Sequence, residues 1–226
     1  MSRTILSVGG SIIIPKTGFS IPFLQSFRKM ILKEVAKGKT FIIVVGGGAT
    51  CRAYQSTASA VAPMSKVDLD WLGIHTTRYN AQFVRFLFQD VAYKDVVLNP
   101  TIEIKTKKPI IIAAGYEPGC STDTDAVMLA KTYCVTHLLN LSNIDFAYDK
   151  DPNVHPDAQK IESISWKKFR EIVGNEWNPG MSAPFDPIAS KMAQKLGMTV
   201  SILNGTNLKE VQKAINGKKF VGTQIG

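Results

Sequence analysis

The run Val44-Val45-Gly46-Gly47-Gly48 closes an apolar segment and leads into Ala49-Thr50-Cys51-Arg52. Glycines placed between a strand and a helix let backbone N–H groups come close to a phosphate, and the positive end of the helix dipole faces the anion. A second pair, Gly9-Gly10, follows Leu6-Ser7-Val8 and precedes Ser11. Two such cradles suggest two phosphorylated ligands, and two phosphorylated ligands suggest phosphoryl transfer.

Three further segments carry chemistry. Gly115-Tyr116-Glu117-Pro118-Gly119-Cys120-Ser121-Thr122-Asp123 follows an apolar run. Pro118-Gly119 makes a turn, Ser121 and Thr122 offer hydroxyls, and Asp123 suits a helix cap. The segment reads as a plain connection or as a ligand loop at a strand's C-terminal end. Leu141-Ser142-Asn143-Ile144-Asp145-Phe146-Ala147-Tyr148-Asp149-Lys150-Asp151-Pro152 combines an aromatic, amides and carboxylates. It suits a nucleoside, or a turn rich in Asn and Asp. In Pro184-Phe185-Asp186-Pro187-Ile188-Ala189-Ser190-Lys191, Asp186 is a natural N-cap and Pro187 the first helical residue. Lys191, one turn in, is a surface lysine or a cation for a transferred phosphate.

Some near-matches fail on context. Gly38-Lys39-Thr40 has Lys33 where a phosphate-binding loop needs glycine, and it precedes a strand. Gly46-x-Gly48 opens a dinucleotide fingerprint whose third glycine position holds Cys51. Asn140-Leu141-Ser142 and Asn204-Gly205-Thr206 match glycosylation sequons by chance.

These residues need elements to hold them. Near-continuous apolar runs at 4–8, 41–45, 109–114, 137–141 and 199–203 read as parallel strands covered on both faces. Phe23, Leu24, Phe27, Met30, Ile31 and Val35 follow a helical period. Further helices are expected at 76–89, 123–133, 186–196 and 207–215. The 76–89 helix carries Tyr79, Phe83, Val84, Phe86, Leu87 and Phe88, more apolar surface than one buried face needs; the excess marks a subunit interface or simple core packing. The polar stretch 149–163 reads as an extended excursion or lid. Alternation of strand and helix gives an α/β fold, a three-layer αβα sandwich with a central, mostly parallel sheet. No linker or repeat interrupts it, so residues 1–226 are expected to form a single domain.

The 226 residues are 45% hydrophobic and 20% charged, ordinary values for a globular protein. The net charge of +9 fits nucleic acid or a site for two polyanionic nucleotides. The basic residues are scattered without aromatic interleaving, as on solvated faces, which favours no nucleic acid. No stretch is long and apolar enough for a membrane span, and no signal peptide is expected. The three cysteines and three histidines are isolated, forming neither a metal pattern nor a disulfide framework, so a cytoplasmic setting is expected.

Taken in order, Gly-Gly-Ser after the first strand, Gly-Gly-Gly-x-x-x-Arg after the second, Asp70-Trp71-Leu72-Gly73-Ile74-x-x-Thr77-Arg78-x-Asn80-Ala81 and the three later segments resemble the amino acid kinase superfamily. More narrowly they resemble its archaeal-type UMP kinases, over nearly the whole chain to Phe220-Val221-Gly222-Thr223. The resemblance implies transfer of the ATP γ-phosphoryl group to UMP, with Mg²⁺ arriving on ATP and no dedicated metal ligands. It places Ser7, Gly9, Gly10 and Ser11 along the ATP phosphates, with Gly48 and Arg52 on the ATP side. Ser142, Asn143, Tyr148 and Asp151 would hold the ATP nucleoside. Gly46 and Gly47 would touch the UMP phosphate, Asp70 the ribose, and Tyr116, Glu117, Pro118, Gly119, Cys120, Ser121 and Thr122 the uracil and phosphate. Lys191, Gly10 and Arg52 would act in catalysis. The family's hexamers imply a homo-oligomer.

The chain departs from the pattern in four places. Ser7 stands where many members carry lysine, leaving Lys16 and Lys191 as candidate cations, with Lys191 favoured. Phe146 replaces a usual glycine, Ala49 a common lysine, and Asp125 a usual apolar residue. The rival readings are another acceptor on the same fold, or a nucleotide-binding protein without catalysis.

Overall fold

The computed structural model describes residues 3–152, 154–178 and 183–226. The five expected strands all form, within one residue of their expected ends: β1 (Arg3–Val8), β2 (Thr40–Val45), β3 (Ile110–Ala113), β4 (His137–Ser142) and, later in the chain, β8 (Thr199–Asn204). Four more short strands follow β4 or close the chain. They are β5 (Ala147–Tyr148), β6 (Lys160–Ile161), β7 (Ser163–Ile164) and β9 (Thr223–Ile225). The main sheet runs β3-β2-β1-β4-β8-β9-β7, parallel except where β9 meets β8. The expected 149–163 excursion carries β6, which pairs antiparallel with β5.

Helices fill both faces. α1 (Gly10–Ile13), α2 (Ile21–Ala36), α4 (Lys66–Leu87) and α8 (Leu208–Ile215) pack on one side, over Leu6, Ile43, Ile112, Leu139 and Leu203. α5 (Thr122–Thr132), α6 (Trp166–Val173) and α7 (Pro187–Lys195) cover the other, over Ile5, Ile42, Ile111, Leu138 and Val200. Successive strand residues enter opposite cores, because side chains alternate across a strand. Both faces are therefore dry, and the strands read as unbroken apolar runs. α3 (Gly48–Val61) lies against α4 and buries little beyond Gly48.

α4 begins ten residues before the expected helix at 76–89. Ser65 caps it, its Oγ accepting the Asp68 N–H at 3.1 Å. The first three turns face α3 and the ligand cleft, burying Asp70, Thr76 and Thr77. They therefore lack the apolar period that marks a core-facing helix. Farther along, Val84 and Phe88 enter the core and Phe83 meets Phe19, while Tyr79 (79% exposed) and Phe86 (55%) face outward.

The strand order sets the site. From β1 the chain moves outward through β2 and β3, then returns to place β4 on the other side of β1. Ligands of open α/β sheets bind beyond the strand C-termini at such a reversal. Gly9, Gly46, Ala114 and Asn143 follow those termini directly.

Candidate active site

The two glycine turns form one floor, not two separate cradles. A Cβ on Gly10 would lie 2.0 Å from the Gly48 nitrogen and 2.6 Å from the Gly46 oxygen. A Cβ on Gly48, whose φ is +69°, would lie 2.6 Å from the Gly10 oxygen. The glycines are thus required where backbone meets backbone, as well as where backbone would meet phosphate. Hydrogen bonds fix the arrangement: Gly46 N–H to Val8 O at 3.0 Å, and Gly9 N–H to Leu141 O at 2.9 Å. Buried Asn80, on α4, donates through Nδ2 to the Gly46 and Gly47 carbonyls at 3.0 Å each. The Asn80 bonds occupy two floor carbonyls, while the Gly9 and Gly46 N–H groups are spent on the strand ends.

α4 and the loop after β3 build the adjoining wall. Thr77 Oγ1 accepts the Gly115 N–H at 2.9 Å, and Arg78 donates to the Gly115 and Tyr116 carbonyls. Asp70 Oδ2 accepts the Gly119 N–H at 2.8 Å. Asp125, in the first turn of α5, accepts the Tyr116 N–H through Oδ2, while its buried Oδ1 has no partner among the described residues.

A carboxylate network closes the centre. Ser121, not Asp123, caps α5, its Oγ accepting the Asp123 N–H. Asp123 stands two residues on, within the first turn, where Ser7 Oγ donates to its Oδ1 at 2.9 Å and the Asp186 N–H reaches its Oδ2 at 3.4 Å. Asp186 caps α7 as expected, through Ile188 and Ala189, and also takes the Ser121 and Thr124 hydroxyls. Burial raises Asp123 to about 7, with the Asp186 charge adding to the rise and the Ser7 hydrogen bond opposing it. Burial likewise raises Asp125 to about 8 against the Tyr116 hydrogen bond, with Asp186, Glu117 and Asp123 adding to the rise.

Both acids keep their protons to higher pH folded than unfolded. Between about pH 4 and pH 8 the unfolded chain binds fewer protons, so folding stability falls as pH rises through that window and levels off above it. Each unit crossed costs roughly 1.4 kcal/mol per group. Denaturant unfolding at pH 5 and pH 8.5 should therefore show the Asp125→Asn chain losing less stability than the parent. An equal loss would mean that Asp125 is ionised throughout.

A cleft of about 490 Å³ spans this centre. It gathers Ser7, Gly9, Gly10, Ser11, Gly46, Gly47, Gly48, Arg52, Asp70, Cys120, Ser121, Thr122, Ser142 and Asn143 of the expected site. A neighbouring cavity of about 880 Å³ holds Tyr148 and Asp151, and shares Ser142, Asn143, Ala183 and Pro184 with the first. Tyr116, Glu117, Pro118 and Gly119 lie outside both linings, because the hydrogen bonds of Tyr116 and Gly119 turn inward to Asp125 and Asp70.

The cations are placed differently from expectation. Buried Ala189, Ser190 and Ala193 form the inward face of α7, which turns Lys191 to solvent and away from both cavities. Lys16 and Arg52 line the cleft instead, neither with a hydrogen bond or ion pair among the described residues. Sequence reasoning gave no role to Asn80, Thr77 or Arg78, which hold the floor and loop. Their signal was membership of the Asp70–Ala81 motif that carries the family resemblance.

The family model described as amino acid kinase family matches residues 2–204. A uridylate kinase of Methanobrevibacter smithii is 31% identical over 99% of this chain and 98% of its own length. One from Thermococcus sibiricus is 31% identical over 96% of each chain. The crystal structure of uridylate kinase from Archaeoglobus fulgidus superposes with a TM-score of 0.82 at 28% identity, covering 99% of this chain and all of that one. The UMP kinase structure from Bacillus anthracis, at 20% identity and a TM-score of 0.78, shares the fold. The chain belongs to the amino acid kinase family.

Proposed function

We propose that this protein transfers the γ-phosphoryl group of ATP to UMP, giving ADP and UDP. The observation that carries the reading is the pair of adjoining cavities, which share Ser142 and Asn143 beside a single glycine floor. Two nucleotides can meet there phosphate to phosphate. The uridylate kinase relatives name the acceptor.

ATP occupies the cavity of Tyr148 and Asp151, its phosphates running over Gly9, Gly10 and Gly48. UMP occupies the end lined by Asp70, Cys120 and Thr122. An oxygen of the UMP phosphate bonds to the γ-phosphorus as the bond to the β–γ bridging oxygen breaks, and the electron pair leaves with ADP. Such transfer rests on positioning and charge neutralisation. The floor N–H groups, Lys16 and Arg52 supply positive charge; Asp123 positions Ser7. Among the described residues no group of three or more His, Cys, Asp or Glu side chains could hold a metal. Both oxygens of Asp123 are taken, by the Ser7 hydroxyl and the Asp186 N–H, so Mg²⁺ would arrive on ATP, its shell filled by phosphate oxygens and water. When bound, Mg²⁺ offsets the charge of the β- and γ-phosphates.

Asp70 should be worth most in acceptor binding, through the ribose hydroxyls. Asp70→Ala should raise the KM for UMP about 10- to 100-fold and leave the KM for ATP within about twofold, since hydrogen bonds to a charged group contribute roughly 1.5–3 kcal/mol. An unchanged KM for UMP would remove the ribose role.

The outward Tyr79 and Phe86 offer an apolar contact for a second copy, consistent with a homo-oligomer, up to a hexamer, in the cytoplasm. The proposal is tested by ADP release from Mg-ATP with UMP, CMP, dUMP or no acceptor. Turnover led by UMP supports it. Tight ATP binding without turnover on any acceptor would instead favour a binding protein.

A further inference from the structure

We infer that the protein carries a second anion site, a groove on the sheet face beside α8 that takes a multiply charged, phosphorylated small molecule. A cavity of about 770 Å³ lies there and shares no lining residue with the two cavities of the cleft. Its floor is Thr199 and Ser201 of β8, with Gln224 of β9 paired beside Ser201 and His137 of β4 beside Thr199. Ser201 and Leu203 share one face of β8, because side chains alternate along a strand. Leu203 joins the core under α8, whereas Ser201, 1% exposed, lines the groove with its Oγ 2.9 Å from His137 Nε2. The face changes from apolar to polar where the groove begins.

Both walls are held in place. The loop after α8 is bound back by Lys218 N–H to Lys213 O and by Val221 N–H to Glu210 Oε2, each at 2.9 Å. Gly222 lets that loop press on β8, since a Cβ there would lie 2.5 Å from the Ile202 oxygen. Opposite stands the β5–β6 pair, fixed to β9 through Thr223. Its Oγ1 accepts the Ala147 N–H at 2.8 Å and donates to Ile161 O. β6 divides the two sites: Lys160 lines the groove and Ile161 the Tyr148 cavity.

These walls bring three lysines to one groove. Lys218 and Lys219 come from the loop, neither in an ion pair among the described residues. Lys160 comes from the hairpin, its Nζ 4.9 Å from the centre of the Phe146 ring and 2.9 Å from Glu162 Oε1. Glu162 is the one carboxylate of the lining. The Lys160 hydrogen bond and charge hold it below the usual carboxylate range, and Lys219 adds to this from the other wall. Burial lowers His137, so the imidazole adds no charge near pH 7. Phe146, which replaces a usual glycine of the resembled pattern, lines this groove and not the ATP cavity, and it seats the Lys160 ammonium. Ammonium groups and hydroxyls recognise phosphate oxygens, and the volume is that of a small-molecule site rather than of phosphate alone.

The test is methyl NMR of the whole protein with inorganic triphosphate as the probe. Ala214 and Val221 line the groove, while Ile74 and Leu141 line the cleft, so the two sites report separately. The Ala214 and Val221 signals should shift saturably, with a dissociation constant of about 1 mM or tighter. The double variant Lys218→Ala, Lys219→Ala should weaken that binding at least about tenfold, and Phe146→Gly several-fold. Neither should change the titration of Ile74 and Leu141, since distant sites act independently. Groove signals that stay still in the parent, with or without movement at Ile74 and Leu141, would overturn the inference. So would groove binding that both variants keep at the parent's strength. None of these outcomes bears on transfer to UMP, which turnover tests separately.

Discussion

Gly10→Ala should nearly silence the enzyme. The added methyl would sit 2.0 Å from the Gly48 nitrogen and 2.6 Å from the Gly47 carbonyl carbon. Neither is the end of a flexible side chain, so one glycine turn must move off the other. Overpacking of this kind costs about 1–3 kcal/mol or more, which for a chain of this size lowers Tm by several degrees. The larger effect is on rate. A displacement of about 1 Å in a phosphoryl-transfer floor costs on the order of 100-fold. Initial rates and a thermal melt should therefore show kcat reduced at least about 100-fold, alongside a measurable loss in Tm. Gly9→Ala is the milder comparison, since the nearest atom to its methyl would be the Leu141 oxygen, at 3.1 Å. Equal rates in Gly10→Ala and the parent would mean that the floor does not position phosphate.

Lys16→Ala should lower kcat about 100- to 1000-fold, the effect of removing one preorganised charge from a developing negative centre. The ATP KM should change less, because the charge matters most in the transition state. Lys191→Ala should stay within about twofold of the parent, since that side chain points to solvent from the outward face of α7. The pair of variants separates the two candidate cations by steady-state kinetics. A large loss in Lys191→Ala with none in Lys16→Ala would return the role to α7.

The strands were legible because burial on both faces leaves only apolar residues in each, as in Phe41-Ile42-Ile43-Val44-Val45. The Asp186-Pro187 cap was legible because capping is local chemistry that two adjacent residues specify. The setting of Lys191 was not legible: its spacing from Asp186 says where it stands on the helix, but the direction of the helix comes from Ala189 and Ala193 packing into the second core. The first turns of α4 were hidden because a helix facing a cleft buries Asp70, Thr77 and Asn80 in place of an apolar stripe. The joining of the two glycine turns was hidden as well, being a contact between segments more than thirty residues apart. Asp125 was visible as an odd residue; its burial, and an oxygen without a partner among the described residues, required the fold.

The central claim is that the γ-phosphoryl group of ATP ends on UMP. Phosphorus NMR of the protein with Mg-ATP and UMP observes it directly. Signals of UDP and ADP should rise together and in equal amounts, as those of UMP and the ATP γ-phosphate fall. Inorganic phosphate appearing in place of UDP, or an unchanged spectrum with both nucleotides bound, would contradict it.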